Sequence, residues 1–315
     1  MMEGEKILTR CGFVAVIGAP NAGKSTLVNA IVGAKVAIVT HKVQTTRTRL
    51  RGIALEGAAQ IILVDTPGIF EPKRKLDRAM VDAAWSGAQD ADLVALVVDV
   101  EAWRDRDKGG AARRAAEDTD RILQGLQRSG RKAVLVLNKI DILRHEELLA
   151  ISSSLNEILS FEETFLISAE KGKGVKDLTL WLAEHLPESP WLYPEDQIAD
   201  APLRTLAAEI TREKLILRLH QELPYAITVE TETWEEKSDG SARVEQVIFV
   251  ERDGQKAIVL GHQGSTIKDI GARARKEMAE SFGFPVHLFL FVKVREKWAE
   301  DPERYRELGL DYPKS

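Results

Sequence analysis

The chain has 315 residues, 44 Lys+Arg against 49 Asp+Glu, a formal net charge of −5 and one cysteine. That length suggests two domains at about 100–200 residues each, and the lone Cys11 excludes a disulfide scaffold or a cysteine-rich metal site. The acidic net argues against a strongly basic nucleic-acid binder. The N-terminal MMEGEKILTRC has no signal-peptide-like apolar stretch, and no window approaches the roughly 18 apolar residues of a membrane span. A cytoplasmic protein is expected, with Cys11 buried beside the first strand.

Phe13–Ile17 is a continuous apolar run, as in a strand buried on both faces. Gly18-Ala19-Pro20-Asn21-Ala22-Gly23-Lys24-Ser25 follows it, with Thr26 next, and leads into a helix over Lys24–Val32. This is GxxxxGK[ST] between a strand and a helix, the context a phosphate loop requires. Its backbone N–H groups and helix N-terminus favour a phosphate anion, Lys24 supplies charge to the β/γ-phosphates, and Ser25 offers a hydroxyl to Mg²⁺. Gln44-Thr45-Thr46-Arg47 comes next; a threonine here would complete the Mg²⁺ shell, with Thr46 favoured and Thr45 the alternative.

The second apolar run, Ile61–Val64, ends in Asp65-Thr66-Pro67-Gly68. A carboxylate at the C-terminal edge of a parallel sheet can hold Mg²⁺ through water, and the Gly68 N–H can bond a γ-phosphate oxygen. A helix over Leu76–Gln89 and a strand over Leu93–Val98 follow. The mixed-charge stretch Glu101–Asp120 reads as an exposed loop running into a helix. Ala133–Leu137 is a fourth strand, followed by Asn138-Lys139-Ile140-Asp141. A carboxylate at Asp141 can accept both N1–H and N2–H of guanine, a donor pair that adenine lacks. Asn138 would tie loops together, and the Lys139 stem would lie on the ring. After a helix over Glu146–Leu159 comes the short strand Phe165–Ile167, then Ser168-Ala169-Glu170, whose Ala169 N–H could meet guanine O6. Strands alternating with helices predict a mostly parallel α/β sheet, covered on both faces.

Three prolines lie between Pro187 and Pro194 and read as a linker. The expected division is residues 1–186, a linker at 187–196, and 197–315. Beyond it a helix (203–222) precedes alternating strands at Tyr225–Glu235 and Arg243–Arg252, a third strand segment at Lys256–Leu260, a helix at Ser265–Ser281 and a strand at Val286–Val294. This order predicts an α+β domain. Residues 1–190 carry 26 basic and 26 acidic side chains, whereas 191–315 carry 18 and 23, so the entire −5 lies in the second half. Yet Lys268, Arg273, Arg275 and Lys276 against Asp269 give a local +3 over residues 261–276. This basic stretch opens with Gly261-His262-Gln263-Gly264, which resembles the GxxG loop of KH domains and can clamp nucleotide phosphates between a strand and a basic helix. Gly261, His262, Gln263, Gly264, Lys268, Arg273 and Lys276 are the candidate RNA contacts. His262 and Gln263 make the loop less basic than is usual in the KH loops it resembles, so a shallow salt dependence is expected.

The set GAPNAGKS, DTPG, NKID and SAE resembles the translation-factor-related GTPases. Within them EITREKL (209–215), ELPY (222–225) and VERDGQK (250–256) are similar to the Era family of bacterial GTPases, over roughly Cys11 to Leu310. The resemblance implies a P-loop GTPase domain followed by a type II KH domain, binding of GTP and GDP, and contact with the 3′ end of small-subunit ribosomal RNA. It also implies a role in 30S maturation and a peripheral membrane contact, for which the sequence carries no anchor. A monomer is expected. Where Ras-like GTPases carry a water-orienting Gln, this chain has Ile69, so intrinsic hydrolysis should be slow. Asn21 resembles the asparagine with which some relatives recruit K⁺. Asn21, Lys24, Thr46 and Gly68 are thus the candidate catalytic set. Two other readings remain open: a GTP-dependent RNA-binding assembly module with negligible turnover, and a tRNA-modifying GTPase.

Overall fold

The computed structural model describes residues 8–40, 50–72, 74–220 and 223–296, together with Trp298, Pro302, Tyr305 and 310–312. The chain divides into two compact units with a break between Asp200 and Ala201, and the described residues 38–40 group with the second.

In the first unit the strands are β1 (Arg10–Ile17), β2 (Leu50–Glu56), β3 (Ala59–Asp65), β4 (Leu93–Asp99), β5 (Val134–Asn138) and β6 (Thr164–Ile167). They form one sheet in the order β2-β3-β1-β4-β5-β6, antiparallel only between β2 and β3. The helices are α1 (Lys24–Val32), α2 (Lys75–Asp90), α3 (Val100–Arg104), α4 (Gly110–Ser129), α5 (His145–Ile158) and α6 (Val175–His185). Because side chains alternate along a strand, each continuous apolar run feeds two cores. Val14 and Val16 pack with Leu27 and Val28 of α1 and Leu178 and Leu182 of α6. Ala15 and Ile17 pack with Ala84 of α2, Ile122 and Leu126 of α4 and Leu155 of α5. A fully buried Leu or Ile here contributes about 1.5–3 kcal/mol.

Strand β2 was not expected. Gly52 breaks its apolar pattern, and it lies under α1, where an added Cβ would sit 2.8 Å from Val32 Cγ2. The 101–120 segment is more ordered than a solvated loop. Asp99 caps α3 by accepting from the N–H groups of Glu101 (3.0 Å) and Ala102 (3.2 Å). Trp103 is buried, with the Arg106 guanidinium 4.3 Å over its ring and bonded to Asp120 at 2.6 Å.

The proline-rich segment is strapped to this unit. Cys11 N–H donates to Pro187 O (3.2 Å), Ser189 N–H to Thr9 O (3.1 Å), Ile53 N–H to Ile198 O (2.9 Å) and Asp200 N–H to Arg51 O (3.0 Å). Gln60, fully buried in β3, accepts from the N–H groups of Leu192 (2.9 Å) and Tyr193 (3.0 Å) and donates to Tyr193 O (2.8 Å). Cys11 is buried beside Gln60, and burial pushes its thiol pKa up.

The second unit runs α7 (Leu203–Arg218), β7 (Thr228–Glu236), β8 (Ala242–Val250), α8 (Asp253–Leu260), α9 (Ser265–Phe282) and β9 (Val286–Val294). Its sheet is β7-β8-β9, with β7 antiparallel and β9 parallel to β8. Ile248 and Val250 pack with Leu215, Val259 and Ile270, and Val244 packs with Ile210, Ala274 and Met278. The expected strand at Lys256–Leu260 is instead the body of α8. Within that helix only Gln255 and Val259 are buried, a spacing of four that puts both on one helix face. The GxxG loop therefore joins two helices rather than a strand and a helix. Among the described residues no helix is long and apolar enough to cross a membrane.

Candidate nucleotide site and candidate nucleic-acid loop

The parallel strands deliver their loops to one edge of the sheet. Register pairs Val16 with Asp65, Ile17 with Leu96, and Asn138 with both Asp99 and Ile167. The residues after these ends are therefore neighbours in space, at the edge where α/β sheets bind ligands. Gly23 caps α1 with φ 97°, and an added Cβ there would lie 2.1 Å from Asn138 Nδ2. That position demands glycine both for its backbone angle and for the close approach.

Lys24 is buried, and its Nζ donates to the carbonyls of Gly18 (3.1 Å) and Ala19 (2.9 Å). Burial pulls its pKa down to about 8, against an opposing pull from Asp65. Ser25 Oγ donates to Asp65 Oδ2 at 2.8 Å, placing a hydroxyl against a carboxylate. Both are hard oxygen donors of the kind Mg²⁺ prefers, so the residues present fit that ion. Thr66 Oγ1 donates to Val16 O at 2.7 Å and pins the start of the Asp65–Gly68 loop. Pro20 packs on Gly68, whose added Cβ would meet it at 3.0 Å. Asn21 is exposed with φ 64°, and Thr26 lies in the first turn of α1. The candidate metal ligand Thr46, its alternative Thr45, and Gln44 lie outside the described residues.

Asn138 is buried and joins two loops: its Nδ2 donates to Ala22 O (2.8 Å), and its Oδ1 accepts from Ala169 N–H (3.0 Å). That Ala169 N–H, expected to face guanine O6, is thus directed at Asn138. Ser168 is buried and closes its loop through N–H to Lys173 O at 2.9 Å. Two partners were missed in the sequence. Asp99 accepts from Lys139 Nζ at 2.5 Å, and Lys171 Nζ lies 2.7 Å from Asp141 Oδ2. Hydrogen bonds from Lys171 and Ser168 hold the Asp141 pKa down at about 2. A strand-end carboxylate beside Asn138 and a lysine directly after SAE were the available signals.

In the second unit Gly261 (φ 69°), Gln263 (φ 50°) and Gly264 (φ 77°) shape a tight turn, with Gly264 N–H donating to Gly261 O at 3.1 Å. Gly264 caps α9, while His262 and Gln263 are exposed to solvent. Lys268 is exposed and forms no ion pair among the described residues. Arg273 and Lys276 are partly neutralised, by Asp269 at 3.0 Å and Glu280 at 3.8 Å. They line a groove of about 340 Å³ between α7 and α9, so the structure separates them from the loop. Lys276 begins about 18 Å along the helix axis from Gly264 at 1.5 Å per residue.

A family profile described as 50S ribosome-binding GTPase matches residues 13–139, and one described as KH domain matches residues 222–299. The chain is 60% identical over 311 residues to GTPase Era of Brucella suis biovar 1 (strain 1330), covering 99% of this chain and 96% of that protein. It is 61% identical over 306 residues to GTPase Era of Rhizobium meliloti (strain 1021), covering 97% and 94%. Two solved structures, each 36% identical, align over 96% of this chain and 99% of theirs. One is Era in complex with MgGDPNP and nucleotides 1506–1542 of 16S ribosomal RNA (TM-score 0.85); the other is a point variant of Aquifex aeolicus Era bound to GDP·AlF4⁻ (TM-score 0.86).

Proposed function

This chain belongs to the GTPase Era family, and from that premise we propose a GTP-hydrolysing switch that binds the 3′ end of small-subunit ribosomal RNA and assists 30S subunit maturation. The observation that carries the nucleotide half is the convergence of Lys24, Ser25, Asp65 and Asn138 on one sheet edge. The RNA half rests on the GxxG turn at the start of α9. We take residues 1–186 as the GTPase domain and 197–315 as the KH domain, with the connecting segment 187–196 and its continuation to Asp200 fastened along the first unit.

The phosphate-loop N–H groups and Lys24 hold the β/γ-phosphates and stabilise charge that develops there during transfer. Gly68 contributes its N–H to the γ-phosphate. Ser25 and Asp65, with Thr46 or Thr45, are the residues assigned to Mg²⁺, which when bound would neutralise phosphate charge. Asp141 reads the guanine edge, beside Asn138, Lys139, Ser168 and Ala169. Ile69 is buried, its N–H donates to Gly18 O at 3.1 Å, and its side chain cannot orient a water. The chain supplies no base at that position, so turnover is slow and a K⁺ held by Asn21 is the proposed assistance. Hydrolysis is expected to be faster in KCl than in NaCl; equal rates would remove K⁺ from the mechanism.

Ile69 also favours the reading of an RNA-assembly module with little turnover. Single-turnover hydrolysis with and without an RNA oligonucleotide of the 16S 3′ end separates the two. Acceleration by RNA supports the switch, and no turnover in either case supports the module. Binding of that oligonucleotide should exceed binding of a scrambled one by at least about tenfold. The cytoplasm and a monomeric state are assigned with this function. The peripheral contact at the inner membrane face is checked by co-sedimentation with anionic vesicles.

A further inference from the structure

A carboxylate that reads guanine must present two lone pairs in the plane and direction of N1–H and N2–H. Asp141 sits in a single turn of 3₁₀ helix (Ile140–Ile142), a short element that gives its side chain little support of its own. One partner constrains it from the loop after β6: Lys171 Nζ lies 2.7 Å from Oδ2. That loop is itself fastened at both ends. Ser168 and Lys173 form a β-bridge, Gly172 and Gly174 take φ 72° and 71°, and Ala169 N–H is fastened to Asn138.

An ionised carboxylate has about four acceptor positions. The Lys171 contact on Oδ2 leaves lone pairs on both oxygens for the donors of the guanine edge. We propose that Lys171 is a positioning residue for guanine recognition, tying the base-reading Asp141 to the Ser168–Gly174 loop so that two of its lone pairs face N1–H and N2–H. This rests on the assignment of Asp141 as reader of the base. The parallel pair supports it: Lys139 is held to Asp99, which is itself fixed by two backbone N–H groups, so both charged side chains of the Asn138–Asp141 motif are anchored by partners from other loops.

A ligand that uses both lone pairs depends on the carboxylate's angle more than a ligand that uses one. GDP uses both; IDP lacks N2–H and uses one. Lys171→Met should therefore weaken GDP about two- to fivefold in 50 mM NaCl, the range for an exposed ion pair, and weaken IDP less. The GDP-over-IDP preference then shrinks, and Lys171→Arg restores it. The contrast should fade in 500 mM NaCl, where the pair is screened. An unchanged GDP/IDP ratio in Lys171→Met overturns the proposal, because a general loosening of the loop would weaken both ligands equally. Asp141→Ala is the control: wild-type GDP affinity in that variant would overturn the assignment of Asp141 itself.

Discussion

Two glycine-framed loops in this chain each deliver the N-terminus of a helix, and they do so in opposite surroundings. Gly23 caps α1 and Gly264 caps α9; both have left-handed angles, neither makes a side-chain cap bond, and neither helix has an acidic residue in its first turn. Each therefore presents backbone N–H groups to an anion. The phosphate loop is enclosed, with Lys24 buried and Asn138 pressed against Gly23. The GxxG loop is open, with His262 and Gln263 in solvent. Enclosure strengthens electrostatics and fixes one ligand geometry. Openness leaves the backbone clamp and gives up depth, which suits a polymer that must be laid in from the side.

The largest effect that would sharpen this contrast is Lys24→Ala. Losing a buried, charge-assisted contact to phosphate should cut GTP affinity by about a hundredfold in a titration. Because burial already disfavours the Lys24 ammonium in the fold, the variant's unfolding temperature should not drop. A Gly261→Ala change tests the open loop. Its Cβ would lie 2.2 Å from Thr266 Oγ1 at φ 69°, so RNA affinity should fall about tenfold with GTP affinity unchanged.

A pH series separates the two loops. The Lys24 pKa is near 8, and nucleotide phosphates favour the ammonium form. Above that pH, binding must take up a proton; below it, none is needed. GTP affinity should be flat below pH 7 and fall about tenfold between pH 7 and 9, whereas that lysine has no bearing on RNA affinity. The smallest effect is expected for Lys268→Ala: RNA binding about threefold weaker, and a salt slope shallower by about 0.7, as for one phosphate contact on a single strand. An unchanged slope would mean that Lys268 touches no phosphate.

The phosphate loop, the DTPG turn and the NKID motif were legible because each is contiguous, polar and placed at the end of an apolar run. Chemistry and backbone geometry coincide there within eight residues or fewer. What was hidden depends on pairs remote in sequence. Asp99 meets Lys139 across 40 positions, and Lys171 meets Asp141 across 30. The GxxG turn was legible, but the element before it was not. Lys256–Leu260 is a short apolar run, and such runs fit a buried helix turn as well as a strand until burial is known. Strand β2 was masked by Gly52, whose role is to admit α1.

The strap of residues 187–200 bears on how the first unit could be cut free. Strand β2 is the edge of its sheet, and exposed edges invite pairing with other chains. Ile198 and Asp200 occupy part of that edge, and Tyr193 satisfies both ends of the buried Gln60 amide. A fragment ending at Leu186 would remove the backbone partners of that amide. It would also bare the edge to self-association. A fragment carried on to Asp200 keeps its own edge guard, and is the one to expect as a well-behaved, freely soluble GTPase domain.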